Sequence, residues 1–132
     1  MELIQNNATA LLILLFLIVT FLQSGIDKVS DWKGNLEFIK GHFKNSPLRN
    51  MVPLLLAIIL VIELLAGAFM FVGAFNIMTT GAKSLALLGV QLSALTLIFL
   101  LIGQRLAKDY AGAMTLAVYF IITVLGMYIL NH

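Results

Sequence analysis

Apolar residues fill this chain in four long, nearly uninterrupted runs rather than in short alternations. The runs cover residues 3–24, 51–75, 84–103 and 111–130. Each is close to or above the roughly 20 residues that a helix needs to cross the hydrocarbon core of a bilayer. Backbone in lipid must satisfy its own hydrogen bonds, so each run predicts a spanning α-helix. The stretches between the second and third runs (NIMTTGAK) and between the third and fourth (GQRLAKDY) are short enough to force neighbouring helices antiparallel. The expected fold is an all-α membrane protein, a four-helix up-down bundle forming one transmembrane domain over residues 1–132.

The longer connection between the first two runs has a pattern of its own. Trp32, Leu36, Ile39 and Phe43 recur at helical spacing, while Lys33, Glu37, Lys40 and Lys44 fall off that stripe. This predicts an amphipathic helix over about residues 30–44, lying flat at the membrane interface with Trp32 as an anchor. Asn45-Ser46-Pro47 reads as a stop and restart, with Ser46 as cap and Pro47 at the first position of the second spanning helix. The first run lacks both a basic leader and a small-residue cleavage signal, so it is expected to stay attached.

Composition sharpens the class. With 61% hydrophobic and 11% charged residues and a mean hydropathy of +1.06, the chain has too little polar surface for a soluble fold. A net charge of +2 is too small to suggest nucleic acid as a partner, and the basic residues read instead as topology signals. Lys28, Lys33, Lys40, Lys44, Arg49, Arg105 and Lys108 fall on one side of the expected bundle and only Lys83 on the other. That asymmetry predicts cytoplasmic connections, extracytoplasmic termini and residence in the cytoplasmic (inner) membrane of a prokaryote. There is no cysteine, which removes disulfide and thiolate chemistry. A redox role would therefore rest on a quinone, a bound cofactor or a partner subunit. His42 and His132 are far apart and have no carboxylate or thiol company, so no metal site is expected. His42 by itself reads as a headgroup contact.

Glu63 is the residue with the most chemistry to explain. It stands at the thirteenth place of the 25-residue run 51–75, which holds no other ionisable group. An acidic side chain at such a depth costs about 2.5–3.5 kcal/mol to insert, so it must face protein or a cavity. Gln91 and Tyr119 are the expected hydrogen-bond partners. As a functional site this trio would hold a ligand or relay a proton; as a packing device it would clamp helices at about 0.6 kcal/mol per bond. A second polar group gathers at the expected cytoplasmic rim: Gln23, Asp27 and Lys28 against Gln104, Arg105, Lys108, Asp109 and Tyr110. Such clusters usually form an ordinary interfacial ion-pair network, and a binding role is the alternative.

Helical spacing also suggests inward faces. These are Glu63, Gly67, Met70 and Ala74 on the second span; Gly112, Thr115, Tyr119, Thr123 and Gly126 on the fourth; and Thr9, Phe16, Thr20, Gln23 and Asp27 on the first. The third span offers either Gly89, Ser93, Thr96 and Gly103, or the face carrying Gln91.

The segments FLQSGIDKV, NLEFIKGHFKNSP and IELLAGAFMFVGAF, in this order and spacing, resemble the DoxX family of small four-helix membrane proteins. Gly25 and Lys28 match the family's Gly-x-x-Lys at the end of its first helix, and Glu63, Gly67 and Gly73 match its Glu followed by glycines in the second. The resemblance covers about residues 16–75 and is architectural beyond them. It implies association with quinone-linked sulfur oxidation or with membrane complexes handling redox stress. Three functional classes follow: a non-catalytic membrane subunit or anchor giving a redox partner access to the quinone pool, a small oligomeric transporter or channel using Glu63 for a proton or cation, and a structural or assembly factor. The first ranks highest. Its partners would be the lipid bilayer and either another protein or further copies of the chain.

Overall fold

The computed structural model describes residues 2–131; Met1 and His132 lie outside the described residues, and with His132 one of the two histidines weighed above. Six helices follow one another: α1 (Glu2–Asn6), α2 (Ala8–Ser30), α3 (Trp32–His42), α4 (Val52–Thr80), α5 (Ser84–Leu106) and α6 (Tyr110–Leu130). Among the described residues no strand forms. Helices α2, α4, α5 and α6 are each long and apolar enough to cross a membrane.

Two helix ends differ from the sequence expectation. The first long helix continues past residue 24 to Ser30, and the second continues past residue 75 to Thr80. In both extensions polar side chains bond back to their own helix and so do not break it. Ser30 Oγ donates to the Ile26 carbonyl (2.8 Å), and Thr79 and Thr80 donate to the carbonyls of Phe75 and Asn76 (3.0 Å each). Gly81, at φ 79°, then ends α4 in the left-handed conformation that glycine adopts without strain. At the other end α4 begins at Val52, with Pro53 rather than Pro47 in its first turn. Ser46 is buried in the preceding turns, where its Oγ accepts from the Leu48 amide (3.2 Å).

Helix α2 packs on α4 and α6, and α5 packs on the same two. The core between them is built from Leu14 and Leu17 of α2, Met70 and Ile77 of α4, and Ala86 and Val90 of α5. Outward from this core the large apolar residues stay exposed on every long helix, Leu12, Val19, Phe71, Phe99 and Ile121 among them. A surface of that kind is tolerable only where lipid or another apolar partner covers it.

Glycines set the closest approaches. Leu22 of α2 lies over Gly67 of α4, and Leu64 of α4 lies over Gly25 of α2. Each glycine thus makes the hollow for the other helix's leucine, the small-residue packing by which membrane helices associate without a hydrophobic driving force. Gly73 brings the α4 backbone directly against the backbone of Ala86 in α5.

The burial pattern corrects two of the expected inward faces. On α2 the inward residues are Ala10, Leu14, Leu17, Phe21 and Gly25, while Thr9, Phe16, Gln23 and Asp27 are exposed. On α6 Thr123 and Gly126 are buried but Thr115 is exposed. The physical reason is local: Thr20 and Thr115 donate to the carbonyls of Phe16 (2.8 Å) and Ala111 (3.3 Å), so neither hydroxyl needs an interhelical partner. On α5 the small face wins, with Gly89, Ser93 and Thr96 buried and Gln91 exposed.

Candidate functional site

The extension of α2 beyond residue 24 carries Lys28 to the side of α4. Gly25, one turn earlier, lets the two helices approach closely enough for the lysine to reach across. Its Nζ lies 3.1 and 3.2 Å from the two carboxylate oxygens of Glu63 and 2.7 Å from Ser24 Oγ one turn back. Glu63 is only 2% exposed and Lys28 16%. The ammonium spans both carboxylate oxygens and donates its third bond to the hydroxyl, so the pair is internally satisfied. Among the described residues no buried side-chain nitrogen or oxygen lacks a hydrogen-bond partner.

This corrects the expected partners of Glu63. Gln91 is exposed on α5, and half-buried Tyr119 packs its ring 6.2 Å from that of Phe16. Neither supplies the bond; Lys28 does. The sequence carried a signal for it, since a lone acid within one span calls for a base on a neighbouring helix. An α2 ending at residue 24 nonetheless leaves Lys28 in the rim.

The other rim residues divide into two contacts. Gln104 Oε1 lies 3.0 Å and Asp109 Oδ2 3.4 Å from His42 Nε2, so the end of α3 is tied to the α5–α6 connection. Asp109 also caps α6, its Oδ1 accepting from the Gly112 amide at 2.9 Å. Arg105 lies over the Tyr110 ring, 5.0 Å from its centroid. Gln23 and Asp27 remain exposed on α2, apart from both contacts. His42, expected as a headgroup contact, is instead held by Gln104 and Asp109. Its ring stacks 6.2 Å from Phe38 and meets Phe43 edge-on at 5.3 Å.

Asp109→Ala is expected to cost about 1–2 kcal/mol by loss of the cap. Asp109→Asn keeps a good cap and should cost less than half as much, the remainder reporting the partly exposed histidine contact. Chemical unfolding followed by circular dichroism in detergent measures both.

Beside these groups, α4 and α5 leave a cavity of about 610 Å³, within the roughly 300–1,000 Å³ range of small-molecule sites. Its floor is Val52, Leu55, Leu56 and Ile59 of α4, with Leu100 and Gly103 of α5 opposite and Ile39 of α3 and Phe43 just after it as a cover. Lys28, His42, Gln104 and Asp109 are its polar walls. The helices approach most closely through Gly73 and Gly89 elsewhere along their length, whereas leucine, isoleucine and phenylalanine side chains line the groove here. Phe38, Ile58, Phe99 and Ile102, all exposed, form an apolar rim to the cavity.

Fold and site together define a helical integral membrane protein with a buried ion pair and an amphiphilic groove. No protein-family model matches the chain, and neither curated proteins nor solved structures give a match.

Proposed function

We propose that this chain is a DoxX-like, non-catalytic membrane subunit or anchor that gives a redox-linked partner access to the quinone pool. The observation that supports this reading most directly is the Lys28–Glu63 pair. A buried ion pair is seldom the most stable way to pack two helices, since apolar residues of similar volume often do as well or better. Its place inside an otherwise apolar bundle therefore favours a role beyond packing. Gly25, Lys28, Glu63 and Gly67, four of the five residues that carry the DoxX resemblance, converge at this one α2–α4 contact, while the fifth, Gly73, packs on α5. A membrane quinone is the cofactor the resemblance implies, and the groove suits its planar head and apolar chain, being apolar and flanked by Phe38, Phe43 and Phe99. A cation channel is less favoured, because any ion at Glu63 has to displace an ammonium bound to both of its oxygens. The packing-clamp reading draws on the same geometry and is separated by the substitutions discussed below.

In the membrane the bundle runs up-down, with α3 lying along the cytoplasmic interface and both termini outside. Single cysteines placed at Asn35 and Asn131 should react with impermeant maleimide from opposite faces of sealed vesicles, Asn131 from the extracytoplasmic one. Reversed labelling overturns the orientation and leaves the bundle in place. For the function itself, extraction of native membranes in mild detergent should co-purify a redox enzyme and a quinone. A preparation that retains neither, while its fold stays intact, rules out the subunit reading.

A further inference from the structure

The groove between α4 and α5 has two properties that together select an occupant. Its walls are apolar except at a few points, and exposed Phe38, Ile58, Phe99 and Ile102 give it an apolar rim. In a bilayer an exposed apolar rim favours molecules already dissolved in the lipid. Its volume of about 610 Å³ lies within the roughly 300–1,000 Å³ range of small-molecule sites. That suits a head and one chain.

The polar walls decide the head. Lys28 donates to both oxygens of Glu63 and to Ser24, so its charge is already compensated. His42 is shared between Gln104 and Asp109. The remaining charged wall is the Asp109 carboxylate, which repels a phosphate. Arg105 and Lys108, the basic residues of the same connection, are exposed and do not line the cavity. What these walls offer a guest is hydrogen bonding without net positive charge, from the imidazole of His42 and the amide of Gln104.

We infer that this groove is a binding site for a single-chain membrane lipid whose head is uncharged and hydrogen-bonding. The head sits against His42 and Gln104, and the chain lies along Leu55, Leu56 and Ile59. This holds whether or not the partner is a redox enzyme, so it does not depend on the quinone reading.

The test uses the full-length protein in nanodiscs and three single-chain probes, monoolein, decylubiquinone and lysophosphatidylglycerol, with binding read by native mass spectrometry. Monoolein, decylubiquinone or both should bind at least tenfold more tightly than lysophosphatidylglycerol. Leu55→Trp, which fills the floor, and Gln104→Leu, which removes the amide, should each weaken that binding at least tenfold. Phe38→Ala, at a side chain 71% exposed, leaves the fold untouched and should weaken binding by widening the mouth. Equal or tighter binding of the anionic probe overturns the proposal, as does binding indifferent to all three substitutions or no binding at all. Binding of monoolein without decylubiquinone upholds the site and removes the quinone from the proposed function.

Discussion

Replacing Lys28 by Met should lower stability by about 3–5 kcal/mol, the cost of leaving a buried charge without its partner. Glu63 is then stranded in the interior of α4, at 2% exposure, with no route to water. Replacing Glu63 by Gln should cost less, about 1–3 kcal/mol. Lys28 lies two residues from the end of α2 and keeps its bond to Ser24, and its long side chain can turn toward the interface. The double variant Lys28→Met with Glu63→Leu should recover most of the loss, because apolar pairs replace buried ion pairs with little penalty. Unfolding titrations in mixed micelles measure all three. If the double variant regains both stability and the redox-linked readout, the pair is a packing clamp. If it regains stability and stays inactive, the charges serve the function.

Gly73→Leu is expected to be the second most damaging change. Even a Cβ at this position meets the backbone of Ala86, which cannot swing away as a side chain does. The α4–α5 contact must open along its length, at a cost of about 3 kcal/mol, the upper end of the usual overpacking range. Gly41→Ala is the matched control. Nothing lies within 4 Å of a Cβ there, and the residue is helical, so alanine should add about 0.5–1 kcal/mol. Thermal scans of the two variants should move in opposite directions, and a destabilised Gly41→Ala would refute the assignment of α3 as a helix with a free side.

The existence of the four long helices was legible because runs of leucine, isoleucine and valine leave no other option in lipid. Their ends were less so. Ser24, Asp27 and Lys28 look like the close of a span, yet side chains that bond to their own helix carry α2 onward to Ser30. That extension decides the partner of Glu63. Inward faces were hidden for a related reason, since a hydroxyl satisfied one turn back, as in Thr20 or Thr115, reads the same in sequence whichever way it points. The partners of His42 were not legible, because its contacts with Gln104 and Asp109 join residues more than 60 positions apart. The groove, likewise, is lined by residues of α4, α5 and the segment before α4 together, which no single segment encodes.

Hydroxyls that bond within their own helix also bear on how the protein is made. Ser93, Thr96 and Thr123 are buried and donate to the carbonyls of Gly89, Leu92 and Tyr119 on their own helices, so each span can leave the translocon with its hydroxyls already satisfied. Glu63 is the exception. It must enter the membrane on the strength of the surrounding leucines, valines and isoleucines alone, each favouring insertion by about 0.3–0.6 kcal/mol, and it meets Lys28 only when α2 and α4 find each other afterwards. Biogenesis is thereby divided in two: insertion needs no partner helix, whereas docking of α2 on α4 is what relieves the acid. A chain whose α2 is cut before Lys28 would still insert, and quality-control proteases that sense unpaired charge in the bilayer would have Glu63 to act on.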